Sequence, residues 1–228
     1  ISNADIAERE NIPICQDTGM VICFVECGFK INLEEPISDS INKGIKKGFE
    51  DGVLRKSIVN DPFERTNTND NTPGIVYIEQ TTGNVLKINL MLKGFGSENM
   101  SFVRMLNPSL SQDDVVEIIS NEICNKAFNA CPPVFIGIGI GGSMDYASVL
   151  SKKALLRPVN KKNIDKTYAD MEEKILQSVN RSNIGPAGYT GNTTVLSVSI
   201  ESYPTHIAAL PVAVTMQCHA LRHREIIL

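Results

Sequence analysis

Three cysteines sit in unusual company for residues that could bind a metal. Cys15 lies in IPICQDTGM, Cys131 in NACPPVFIGIGIGG and Cys218 in PTHIAALPVAVTMQCHALRH, each beside polar or turn-forming residues. A free cysteine is ordinarily a small, readily buried hydrophobe. Cys23, Cys27 and Cys124, in apolar or helical contexts, fit that description. Cys15 fits it poorly, because Pro13 precedes it and Gln16, Asp17, Thr18 and Gly19 follow, a set that is costly to bury unless each polar group finds a partner.

Two kinds of metal site compete for such residues. His219 and His223 are four apart, as are Cys23 and Cys27, and two His at that spacing could share one helix face around a structural zinc; the expected C-x2-C pair is missing. The closely spaced cysteine runs of ferredoxin-type clusters are missing too. A cluster held by three cysteines from distant segments has a different meaning, since one iron lacks a protein ligand and acts as a Lewis acid toward a substrate hydroxyl and carboxylate. That is hydro-lyase chemistry, and the protein must then supply an acid and a base. Asp17, at a turn, commonly would only accept backbone N–H groups, and His206, in a Pro-Thr-His before an apolar run, is ordinarily structural although an imidazole suits acid–base work. Arg55, in LRKS, is by default a solvated cation, but a guanidinium can also pair bidentately with a dicarboxylate.

The elements that must position these residues are readable from periodicity. The N-terminal stretch ISNADIAEREN looks helical. Ile41, Ile45, Phe49 and Val53 or Leu54 predict an amphipathic helix over residues 39–56, capped by Ser38 or Asp39. Ile75–Gln80 and Val85–Leu92 flank a Thr-Thr-Gly-Asn turn signal and predict a hairpin. Asp113 and Asp114 open a second helix, VFIGIGIGG predicts a buried strand running into a helix over Met144–Leu156, and residues 165–181 form a further helix. A strand follows in TTVLSVSI, and Ile207–Gln217, broken by Pro211, is expected as an edge strand or a buried irregular segment. The result is an α/β or mixed α+β layer structure of sheets with flanking helices, one domain over 1–228 or two sub-lobes of it. GIGIGG does not match the dinucleotide fingerprint, so its glycines are expected to let backbone approach a cluster or a neighbouring segment.

Composition narrows the function. The chain has 228 residues, 42% hydrophobic and 21% charged, with net charge -4. Such a balance argues against nucleic acid as a partner, and no apolar run approaches the roughly 18 residues of a membrane span. Six cysteines are too few for a small disulfide scaffold, which favours reduced thiols in a cytoplasm. The chain does not begin with Met, so residues are expected upstream.

In order along the chain, PICQDTGM, DGVLRKS, NDNTPG, KGFGSENMS, CPPVFIGIGIGG, KKALLRPVN and YPTHIAALPVAV followed by QCHALRH closely resemble the iron-sulfur domain of class I fumarate hydratases, from about Ile6 to Leu228. L-tartrate dehydratase α subunits share this layout. The resemblance implies a 4Fe-4S cluster on Cys15, Cys131 and Cys218. It implies that Asp17 with His206 protonates the departing hydroxyl, that Gln16 and Arg55 bind the dicarboxylate, and that the glycine turn at Gly94–Gly96 offers backbone to substrate, with Gly96 as the contact. It also implies that the base for the carbon-bound proton lies in a C-terminal domain or β subunit, so the chain alone is incomplete and works as a homodimer or an α2β2 heterotetramer. The loop GPAGYTGNTT departs from the family pattern GPQGLGGKTT, with Asn192 where a lysine is expected, which bears on substrate identity. A rival reading is a non-catalytic iron- or zinc-binding subunit that only assembles a complex.

Overall fold

The long helices expected from periodicity form, whereas the strands Met20–Gly28, Phe102–Leu106 and His223–Ile227 and the pairing of the strands were not expected. In the computed structural model, which describes residues 2–228, the elements run α1 (Ser2–Glu10), β1 (Met20–Gly28), α2 (Ile37–Asp51), β2 (Ile75–Thr81), β3 (Leu86–Lys93), α3 (Phe95–Glu98), β4 (Phe102–Leu106) and α4 (Gln112–Ala127). They continue with β5 (Val134–Gly142), α5 (Met144–Ala154), α6 (Lys166–Asn180), β6 (Val195–Thr205), β7 (Leu210–Cys218) and β8 (His223–Ile227). No helix among the described residues is long and apolar enough to cross a membrane. The expected mixed α/β architecture is present as two sheets with flanking helices, divided between two compact units: the chain up to Phe95 with Arg222–Leu228, and Gly96–Leu221.

The first unit holds the sheet β2-β1-β3-β8. The expected hairpin does not form. β1 lies between β2 and β3, parallel to the one and antiparallel to the other, so the Thr-Thr-Gly-Asn turn spans a strand instead of closing a pair. The reason is burial: Val21, Ile22, Cys23, Phe24 and Val25 are all inside, and a run apolar on both faces needs a central place. Cys23 and Cys27 both belong to β1. α2 covers one face, setting Ile37, Ile45 and Phe49 against Val21, Cys23 and Val25. It starts earlier than the sequence predicts, after Pro36 and without a side-chain cap, because Ile37 is drawn into the core; it stops at Gly52, where Val53 turns to φ 48°.

The second unit is built on β4-β7-β5-β6, with β5 parallel to β6 and antiparallel to β7. Ile136, Ile138 and Ile140 pack with α4 (Val116, Ile119, Ile123) and α6 (Met171, Ile175), while the alternate positions of β5 are glycines. α4 carries a capping box between Ser111 and Asp114, which satisfies amides at its start. Against expectation β7 is central, not an edge. Pro211 is tolerated because it lies beyond the β5 pairing, which ends at Val212, and pairs only with Met105 of β4. His223 lies on strand β8 and His219 in the bend before it, so the two do not share a helix face.

The glycines of GIGIGG meet α5. A Cβ on Gly137 would stand 2.1 Å from the carbonyl oxygen of Ser151, and one on Gly139 would stand 2.0 Å from that of Ala147. Only hydrogen at these positions lets the helix backbone lie directly on the sheet. Gly139→Ala is therefore expected to lose about 3 kcal/mol or more, the upper end for overpacking, and to lower the midpoint of thermal unfolding by roughly 6 °C or more; an unchanged melting curve would contradict the close packing.

Candidate active site

Antiparallel pairing of Met20 with Lys93 brings the start of β1 beside the end of β3. Asp17 sits just ahead of that pairing, and its carboxylate is held at both oxygens by main-chain donors. The Gly19 amide donates to Oδ1 at 3.0 Å and the Phe95 amide to Oδ2 at 2.8 Å. Gly19 can make this turn because its φ is +79°, and a Cβ there would collide with the Lys93 carbonyl at 2.8 Å. The main-chain oxygen of Asp17 accepts from Arg222 Nη2 at 2.8 Å.

Arg55 joins the same corner. Its Nη2 lies 3.8 Å from Asp17 Oδ1, and its Nε donates to Ser57 Oγ at 3.2 Å. The Arg55 side chain is 56% exposed and that of Asp17 28%, so at this distance the pair contributes no more than about 1 kcal/mol and leaves the guanidinium available to another anion. The loop is fixed by its main chain instead: Thr18 Oγ1 donates to the Arg55 carbonyl, and Asn71 accepts from the Ser57 amide at 2.7 Å while donating to the Gly19 carbonyl at 3.2 Å. Asn71 is fully buried, which accounts for the polar motif NDNTPG. Gln16 is exposed and accepts from Cys15 Sγ at 3.5 Å; Gly96 is exposed on α3, with open space where a Cβ would be.

In the second unit, Cys218 ends β7 directly opposite Val134 of β5, and Cys131 lies three residues before Val134, so these two cysteines share one end of the sheet. Cys131 adopts a left-handed conformation (φ 54°) and is exposed. Beside it Gln217 is fully buried. Its Nε2 lies 3.6 Å from Cys218 Sγ and also donates to the carbonyls of Cys218 and Ala220, while its Oε1 has no partner. His206 is elsewhere. It occupies the exposed turn between β6 and β7, accepting from the Ala208 amide at Nδ1, next to the pairing of Gly142 with Thr205. The whole length of β7 separates it from Cys218, roughly 26 Å at the usual strand rise.

Among the described residues no three His, Cys, Asp or Glu side chains gather as a metal-holding group. The donor chemistry nevertheless fits a thiolate-bound centre. None of the six cysteines is in a disulfide, and Cys15, Cys131 and Cys218 reach the surface wholly or in part. Gln217 adds a buried N–H directed at one sulfur, the kind of contact that supports a thiolate ligand. Sequence reasoning missed Gln217, Lys93, Asn71 and Arg222. Lys93 carried a signal, a lysine that closes the apolar run of β3; Arg222 and Asn71 are defined only by contacts distant in sequence.

Burial separates the thiols chemically. It pushes the Cys23 thiol up to about 11 and raises that of Cys124 as well. A raised thiol is less ionised at a given pH, so at pH 8 only about one Cys23 in a thousand is the reactive thiolate. Iodoacetamide at pH 8 is expected to modify Cys131 readily in the metal-free chain and to leave Cys23 untouched until denaturant is added; early labelling of Cys23 in peptide maps would contradict this packing.

Comparison with known proteins identifies the family. The chain is 39% identical over 229 residues to the putative L(+)-tartrate dehydratase subunit alpha of Methanocaldococcus jannaschii, covering 97% of this chain and 80% of that protein. It is 33% identical over 216 residues to the L(+)-tartrate dehydratase subunit alpha of Escherichia coli K12, covering 93% and 71%. The family described as "Fumarate hydratase (Fumerase)" matches residues 1–227, and the chain, a hydro-lyase subunit, belongs to that family.

Proposed function

We propose that the chain is the iron-sulfur α subunit of a hydro-lyase that reversibly hydrates fumarate to L-malate, acting in the cytoplasm with a β subunit or an equivalent C-terminal domain. The observation that carries this reading is the Asp17 corner: an acid oriented by two main-chain amides, 3.8 Å from an available guanidinium and two residues from the thiol of Cys15. A 4Fe-4S cluster on Cys15, Cys131 and Cys218 would supply, when bound, a Lewis acid for the substrate hydroxyl and carboxylate. Arg55 pairs with a substrate carboxylate, helped by Gln16 and by the exposed main chain at Gly96. Asp17, with His206, delivers the proton to the departing hydroxyl in the dehydration direction. The base that removes the carbon-bound proton belongs to the partner.

A second reading concerns the substrate. The relatives named above carry the name L(+)-tartrate dehydratase subunit alpha, which favours tartrate over malate. Both are hydroxylated four-carbon diacids and place the same demands on Arg55 and Asp17. Anaerobic assays of the reconstituted complex with malate, fumarate and L(+)-tartrate decide between them. Turnover of either class supports the hydro-lyase reading, and turnover of none contradicts it. Asp17→Asn is expected to lower kcat about 10²- to 10⁴-fold, the range for loss of a general acid.

His206 constrains the assembly. One strand length from Cys218 is too far for both to touch one small diacid, so we place His206 in the site of a second copy of the chain, as the expected homodimer or α2β2 assembly permits. Coexpression of His206→Asn and Cys218→Ser chains, each inactive alone, then rebuilds one intact site per mixed dimer and restores about half of the activity per dimer. Mixed dimers without activity would mean that His206 serves its own copy or none.

A further inference from the structure

Lys93 ends an apolar strand and is fully buried, an expensive place for an amine unless its donors are used. Among its contacts, Nζ donates to the carbonyl oxygen of Gly94 at 2.9 Å. The amide nitrogen bonded to that carbonyl carbon is that of Phe95, which donates to Asp17 Oδ2 at 2.8 Å. A single planar peptide group therefore has Lys93 on its oxygen and Asp17 on its hydrogen. Holding the oxygen fixes the plane, and fixing the plane aims the N–H. Donors bonded in series also polarise one another, so the Lys93 contact strengthens the bond to the carboxylate.

We propose that Lys93 is a positioning residue for Asp17, acting through the Gly94–Phe95 peptide to hold the carboxylate in one orientation. The second oxygen is fixed separately by the Gly19 amide, so loss of Lys93 frees one side of the carboxylate and leaves the other tethered. This inference rests on the proposed role of Asp17 as the acid. It assigns Lys93 no contact with substrate.

A double-mutant cycle on the assembled enzyme tests it. Lys93→Met keeps length and apolar bulk but removes the donor; it is expected to lower kcat about 10- to 100-fold, the scale of a small misplacement of a catalytic group, with KM little changed. In the Asp17→Asn background the same substitution is expected to cost nothing further, because the group it positions is already gone. Wild-type kcat in Lys93→Met, or losses that multiply in the double variant, would overturn the proposal. Hydrogen exchange at the Phe95 amide gives a reading independent of turnover. Phe95 is exposed, yet in the wild-type protein its amide should exchange far more slowly than in an unstructured peptide, and Lys93→Met should speed it; an unprotected wild-type amide overturns the clamp even if the variant fails to fold. If Asp17→Asn keeps full activity, the acid assignment fails instead, and the exchange rates alone decide whether the clamp exists.

Discussion

The arrangement depends on main-chain amides holding one carboxylate at a place where two strands meet. A surface aspartate would sample many rotamers; Asp17 has both oxygens engaged by N–H groups from different segments, the Gly19 turn and the end of β3. The geometry follows from the antiparallel register of β1 with β3, which the buried run Val21–Val25 enforces by requiring a central position. A buried side chain, Asn71, then ties the Arg55 loop to the same turn. The side chains proposed to meet substrate are thus carried by backbone that is itself fixed, which is how a partly buried acid and an exposed guanidinium keep their orientation.

The other unit solves a different problem, that of placing two thiols at one edge of a rigid support. Pairing of Cys218 with Val134 does this, and the proline-rich approach to β5 keeps Cys131 at the same end. Glycines on one side of β5 let α5 lie against the sheet, and isoleucines on the other make the core with α4 and α6, so the sheet has little freedom to move its ends. The same rigidity sets His206 at the opposite end of β7. A strand cannot be both the support for the thiols and the bridge that brings this histidine to them, which is why the assembly enters the account of the site.

Much of this was legible in the sequence where the signal was local. The helices α4 and α6 and the β5-turn-α5 unit declare themselves by periodicity, by the acidic start of α4 and by the glycine-rich run. The grouping of Cys15, Gln16 and Asp17 was legible for the same reason, because residues adjacent in the chain stay adjacent in space. What failed was non-local. A turn signal between β2 and β3 says nothing about a strand inserted from far earlier in the chain. Pro211 reads as an edge marker until the register shows that its missing N–H falls beyond the partner strand. His219 and His223 suggested a helix, but β-sheet pairing with β3 took the second of them. Lys93 and Arg222 reach the Asp17 corner through pairings that no spacing rule encodes.

The central proposal is that Cys15, Cys131 and Cys218 jointly hold one iron-sulfur centre beside the Asp17 corner. Iron and acid-labile sulfide measured on anaerobically prepared protein test it most directly. The account predicts about four irons per chain in the wild type, the content of one [4Fe–4S] cluster, and near-complete loss on replacing any one of these three cysteines by serine, with Cys23→Ser and Cys124→Ser retaining full iron. Retention of iron in the three serine variants, or a single zinc in place of the cluster, would contradict it.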